Sequence, residues 1–171
     1  PWNNPVQLAL TDAVEVLVSG NVPILKPSEK VPKVGALLRE IIKIAELEDV
    51  FFFVEGGPDV GSRLIATLPP GSHVAFTGSS GVGRKVRELC RNLGLYTHIE
   101  GGGSDQAILL LSPRSPKKLI ERAVNACVAG RFRNCGQNCN AVKGVIVVTK
   151  DEAWANQLAR DIAAKSKRLK L

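Results

Sequence analysis

Apolar residues along the chain alternate between helical and strand spacing. Val6 to Ser19 has helical composition and is stopped by Gly20-Asn21. Val22-Pro23-Ile24-Leu25-Lys26 reads as a short buried strand, ended by Pro27 and the Ser28-Glu29 loop. Val34, Leu37, Leu38, Ile41, Ile42 and Ala45 recur at helical intervals, predicting a helix from Pro32 to about Glu48 with proline near its start. Val50-Phe51-Phe52-Phe53-Val54 is a continuous apolar run too short for a helix, as expected of a strand covered on both faces. The glycine turn from Glu55 to Gly61 leads into a short helix reaching about Leu68, and Pro69-Pro70-Gly71 breaks the chain before a strand at His73–Thr77. A loop from Gly78 to Gly83, a basic amphipathic helix from Val82 to Leu93 closed by Gly94, and a strand from Tyr96 to Glu100 complete this run.

Strands alternating with helices of this length predict an α/β fold with a doubly wound, mostly parallel sheet, because parallel neighbours need crossover connections. Ligands of such sheets bind at the carboxyl ends of the strands. Those ends are Lys26, the 55–61 loop, the 78–83 loop and Glu100, so polar and glycine-rich residues collect along one edge. Past Gly101-Gly102-Gly103 the pattern restarts with a strand at Ala107–Leu111, a helix from Pro116 to Ala129, a cysteine loop, a strand at Gly144–Thr149 and a helix from Glu152 to about Lys167. The triple glycine is the expected hinge between a domain of residues 1–100 and the beginning of a second α/β domain at 101–171.

Composition narrows the classes. A chain of 171 residues that is 44% hydrophobic and 23% charged can bury a core. No apolar run reaches the roughly 18 residues of a membrane span, so no span is expected. The chain begins at Pro1-Trp2 and contains no Met, without a basic then apolar leader; it is expected to be a processed product or an excerpt of a longer protein. The net charge of +7 includes four positive charges from Lys165, Lys167, Arg168 and Lys170, which a solvated helix end explains. With one Tyr and five Phe, and no aromatics interleaved with basic residues, no nucleic-acid partner is expected. The four cysteines, at 90, 127, 135 and 139, are expected as reduced thiols in a cytoplasmic, reducing compartment, since a chain of this size needs no disulfides. Cys135 and Cys139 lack a second close pair of ligands, so no metal is expected.

Four features offer chemistry. Gly78-Ser79-Ser80-Gly81-Val82-Gly83, between a strand and a helix, presents backbone N–H groups suited to a phosphate or pyrophosphate, or is simply a tight turn. It misses the P-loop, because Arg84-Lys85-Val86 follows Gly83, and it misses Gly-x-Gly-x-x-Gly at Val86. Lys26 and Glu29 at a strand end suit the phosphate or ribose of a ligand, or are solvated. Glu100, directly before three glycines, suits a general base. Cys139 suits a nucleophile if its thiolate is favoured; a buried, inert cysteine is the alternative.

Taken in order, these stretches resemble the aldehyde dehydrogenase superfamily. Pro1-Trp2-Asn3 resembles the family's Pro-Trp-Asn, and Gly20-Asn21 with Lys26-Pro27-Ser28-Glu29 resembles Gly-Asn…Lys-Pro-Ser-Glu. Phe76-Thr77-Gly78-Ser79 with Gly83 is similar to Phe-Thr-Gly-Ser-x-x-x-Gly; Glu100-x-Gly102-Gly103 is similar to the base motif Glu-Leu-Gly-Gly. Phe132-x-Asn134-x-Gly136-Gln137-x-Cys139 is similar to the nucleophile motif. The resemblance implies a Rossmann-like cofactor domain over residues 1–100 and NAD or NADP as cofactor. It implies an aldehyde substrate, oxidised to a carboxylic acid through a cysteine thiohemiacetal and thioester, and a homo-oligomer in full-length form. It assigns Cys139 as nucleophile, Asn3 as oxyanion donor and Glu100 as base. Lys26 and Glu29 fall to the adenosine ribose, Ser28 is cofactor-binding with them, and Gly57 and Gly61 lie in a cofactor-side glycine turn. Phe76, Thr77, Gly78, Ser79, Gly83 and Gly101 complete the cofactor-facing set.

The chain departs from the family pattern at Gly101, where Leu is usual, at Ser104, where Lys is common, and at Asn4-Pro5, where an aromatic-Pro pair is usual. It also lacks the family's sequence before Pro-Trp-Asn and its later Glu-x-Phe-Gly-Pro segment. These departures motivate a second expectation, a non-catalytic dinucleotide-binding or assembly module of the same fold. A third, a P-loop nucleotide hydrolase, would require Mg²⁺-dependent nucleoside triphosphate binding. Glu29 would repel a 2′-phosphate, which leans the cofactor toward NAD.

Overall fold

The computed structural model describes residues 1–169; Lys170, counted in the basic tail, lies outside them. The elements run α1 Pro5–Val18, β1 Ile24–Leu25, α2 Pro32–Ile44, β2 Phe52–Phe53, α3 Pro58–Thr67, β3 His73–Thr77, α4 Ser80–Asn92 and β4 Tyr96–Glu100. Then follow β5 Asp105–Leu109, α5 Lys117–Phe132, a 3-10 turn at Arg133–Gly136, β6 Val142–Val147 and α6 Glu152–Ser166. The fold is α/β. Its strands pair in parallel as β1 with β2, β3 with β4 and β5 with β6, and a helix crosses over between the members of each pair.

The chain divides into two compact units, the first Pro1–Gly101 and the second beginning at Gly102. The first has two apolar clusters. Ala13, Ile42 and Phe51 pack with Leu17, Leu25, Leu47 and Phe53, joining α1, α2 and the β1–β2 pair. Ile65, Cys90 and Leu95 pack with Leu68, Val74, Val86 and Leu89, joining α3, α4 and the β3–β4 pair. In the second unit Val124, Cys127, Val128, Ala141 and Leu158 are buried, and they come from α5, α6 and the segment before β6.

Several expected boundaries move, each for a local reason. The helix expected to reach Glu48 ends at Ile44, because Glu46 takes a left-handed φ of 55°. There Glu46 N–H donates to Lys43 C=O and Leu47 N–H to Ile42 C=O, a helix-closing pair normally built on glycine. The strand Val22–Lys26 shrinks to two residues. Val50–Val54 is not covered on both faces: Phe51 is 3% exposed but Phe52 is 48% exposed, the alternation of a pleated strand packed on one side. The helix α4 starts at Ser80 rather than Val82, because the Ser79 hydroxyl accepts from Val82 N–H at 3.4 Å and caps the turn. The strands β5 and β6 each begin two residues before their expected starts.

The helix α5 passes through Gly130 to Phe132 instead of stopping at Ala129. Glycine there serves packing: a Cβ at Gly130 would lie 2.8 Å from Val142 Cγ2, so its absence lets helix and strand approach. Among the described residues no helix is long and apolar enough to cross a membrane, and no group of three or more metal-capable side chains converges.

Candidate functional site

At the end of β1, Lys26 reaches across to the glycine turn after β2. Its Nζ donates to Gly56 C=O at 2.6 Å and pairs with Glu29 Oε2 at 3.5 Å. Gly61, in the first turns of α3, lies against the same side chain, since a Cβ there would sit 3.4 Å from Lys26 Cε. Gly57 caps α3, its carbonyl accepting from Gly61 N–H at 3.2 Å. The Ser28 hydroxyl accepts from Lys30 N–H at 3.3 Å and shapes the loop. Glu29 is held below the usual carboxylate range, first by its own backbone N–H and then by Lys26 and Lys30, so it is ionised near neutrality. Lys26, Ser28, Glu29, Gly57 and Gly61 thus belong to one corner.

A second corner forms at the carboxyl ends of β3 and β4. Thr77 is in register with Glu100, and Gly78 N–H donates to Glu100 C=O at 3.0 Å. The Phe76 ring lies beneath the glycine loop: a Cβ on Gly78 would lie 2.5 Å from it. Gly83 sits where α4 crosses β4; a Cβ there would come within 2.7 Å of Ile99 Cγ2, so this closeness of helix and strand requires glycine. Gly101 packs on the start of α4, its missing Cβ 2.9 Å from Ser80 Oγ. Glu100 is exposed, and its Oε1 lies 3.3 Å from His98 Nε2. Asn3 is half-buried in the segment entering α1, and Asp12 of that helix is electrostatically coupled to His98 and Glu100.

The four thiols separate cleanly. Cys90 and Cys127 are buried on α4 and α5, and burial pushes both thiols up from their ordinary value, which keeps them protonated. Cys135 and Cys139 are exposed, and all four are free. Asn134, Cys135 and Gly136 all take positive φ, at 51°, 54° and 73°, and bend the chain out of α5. Two successive non-glycine residues in this region mark a loop held by its surroundings. The restraints are visible. Asn134 Nδ2 donates to Asn138 Oδ1 at 3.1 Å, and Lys143 Nζ donates to the carbonyls of Asn138 and Ala141 at 3.2 and 2.9 Å. Lys143 is the extra residue where the β5–β6 register shifts, and such a bulge re-aims its side chain. Gly103 packs so closely on the backbone of Cys139 that a Cβ there would collide with the Cys139 carbonyl oxygen.

The first unit therefore holds every expected site residue except Cys139, which lies in the second. Four further residues, His98, Asp12, Gly103 and Lys143, carry site geometry. The period of two in β4 is the signal for His98, which shares a strand face with Glu100. Gly103 was legible as part of the glycine run and of the base motif, but its contact with the Cys139 backbone was not. For Asp12 and Lys143 no local signal existed, because their partners are set by packing.

Comparison with known proteins fits this arrangement. Residues 1–171 match the model of the aldehyde dehydrogenase family. The chain is 35% identical to benzaldehyde dehydrogenase [NAD(+)] of Pseudomonas putida over 171 residues, covering 99% of this chain and 33% of that protein. It is 35% identical to betaine aldehyde dehydrogenase 2 of Rhizobium meliloti over 165 residues, covering 95% of this chain and 33% of that protein. Lactaldehyde dehydrogenase from Escherichia coli superposes with a TM-score of 0.87 at 28% identity, over 99% of this chain and 34% of that one. The chain thus spans about a third of the length of the relatives it matches.

Proposed function

The chain belongs to the aldehyde dehydrogenase family, and from that premise we propose that the protein oxidises an aldehyde to a carboxylic acid, with residues 1–100 serving the cofactor and 101–171 beginning the catalytic domain. Cys139, as thiolate, attacks the aldehyde carbonyl, and the Asn3 amide and the Cys139 backbone N–H donate to the resulting oxyanion. NAD or NADP, when bound, supplies the hydride acceptor. Loss of hydride from the Cys139 thiohemiacetal leaves a thioester, and Glu100 takes a proton from the water that hydrolyses it, freeing the carboxylic acid and the thiol.

The residues present suit a dinucleotide. Gly81 has open space around it in the first turn of α4, a helix of 13 residues whose N-terminal N–H groups favour a pyrophosphate. Lys26 and Glu29 provide a donor and an acceptor for ribose hydroxyls. The ionised Glu29 disfavours a 2′-phosphate, which supports NAD over NADP.

The observation that carries the reading is the Cys139 loop: an exposed thiol on backbone clamped by Lys143 and stacked on Gly103, in contrast to the two buried thiols. Aldehyde-dependent reduction of NAD by the Cys139→Ser variant is expected to fall by at least about a thousandfold. Retention of the wild-type rate would sink the reading. Cofactor binding accompanied by an unreactive Cys139 in thiol labelling would instead favour the non-catalytic module.

A further inference from the structure

We propose that His98 is a positioning residue for Glu100: its imidazole holds the Glu100 carboxylate at the carboxyl end of β4, and loss of the imidazole proton to solvent releases that carboxylate to act on water. The inference rests on the reading of Glu100 as the base.

Three observations support it. Residues two apart on a strand share a face, and His98 Nε2 lies 3.3 Å from Glu100 Oε1. Opposite His98 in the register stands Ala75, whose methyl side chain offers the imidazole no polar partner, so Glu100 is the polar side chain it meets. On α1, burial first and then Glu15 push the Asp12 carboxyl above its ordinary value, His98 and the Pro1 amino group oppose that rise, and Glu100 adds a smaller push upward, so the field of the His98–Glu100 pair reaches this helix.

Besides Asp12, Glu15 and the Pro1 amino group, the titratable groups near this pair are Tyr96 on β4 and His73 on β3. Their rings stack with centroids 4.9 Å apart, and they are engaged with each other. A protonated His98 pairs with Glu100 and weakens it as a base; a neutral imidazole leaves the carboxylate placed but unpaired in charge.

The chain has only two histidines, which makes the imidazole signals simple to assign by NMR. In Glu100→Gln the His98 ring signals are expected to change chemical shift at fixed pH, because the imidazole loses its carboxylate partner 3.3 Å away, while those of His73 stay in place. His98→Gln keeps a neutral donor. Its rate of thioester hydrolysis is expected to exceed wild type by about two- to fivefold at pH 6, the size of one exposed ion pair, and to match wild type within about twofold at pH 8.5. The change should appear in kcat and leave KM for the aldehyde alone, whereas a purely structural role would shift the melting temperature and leave the pH profile intact. Unchanged His98 ring signals in Glu100→Gln, or a wild-type pH profile in His98→Gln, overturns the inference while leaving Glu100 as base. Full activity in Glu100→Gln overturns both.

Discussion

The two crossovers β3–α4–β4 and β5–α5–β6 have the same parallel topology but elaborate opposite connections. In the first, the strand-to-helix turn is only Gly78-Ser79 and the return to β4 is Leu93-Gly94-Leu95. In the second, the strand-to-helix connection runs from residue 110 to 116, and the return from 133 to 141 carries both exposed cysteines and the left-handed backbone. Glu100 and the glycine loop therefore lie at the carboxyl ends of their strands, as expected of a parallel sheet. Cys139 lies at the amino end of its own pair, beside the start of β5. The expectation that polar chemistry gathers at carboxyl ends covers the first crossover and does not extend to the second. A cofactor-type loop needs helix N–H groups, which exist only after the strand. The nucleophile proposed above needs a held, exposed thiol, and the long helix-to-strand return holds Cys139 exposed.

The contrast can be broken most severely at Gly103. In Gly103→Val the side chain must displace the Cys139 backbone, and kcat for aldehyde oxidation is expected to fall about a hundredfold, the usual cost of moving a reacting group by about 1 Å. Cofactor affinity, measured by fluorescence titration, should hold. Unchanged kcat and unchanged Cys139 labelling would show that the loop does not depend on this contact.

Gly83→Val probes the other edge. Its Cβ meets Ile99 Cγ2 at 2.7 Å and the Phe76 ring at 3.7 Å, so α4 must move off the strand at about 1–3 kcal/mol, read by denaturant melting. Cofactor affinity should fall while Cys139 labelling stays at the wild-type rate. A parallel loss of labelling would show that the cysteine loop depends on the packing of α4.

Asp12→Asn is the mildest change. Burial, then Glu15, raises the Asp12 carboxyl above 3.8 in the folded state. Folding therefore favours its protonated form, and the stability linked to it is full below about pH 3.8 and is lost as pH rises through the raised value. The variant should gain stability over wild type at pH 7 and lose that gain near pH 3.5. An advantage unchanged across that range would assign it to something other than this carboxyl.

Much was legible in residue order. His73–Thr77 and Tyr96–Glu100 begin and end where their alternation and the flanking Pro-Pro-Gly and glycine breaks predict. Six helices were expected in order, and the motifs carried the family. Local alternation suffices there because a side chain's face follows from the backbone period alone. Gly130 shows the limit: the residue that reads as a helix stop is a point of close packing against Val142.

Packing decided the rest. Which thiols are buried, that the β5–β6 pairing slips at Lys143, and that Asp12 on α1 feels the charges of His98 and Glu100 all depend on neighbours distant in sequence. Spacing along the chain fixes which face a residue takes; only the folded contacts fix what stands opposite it.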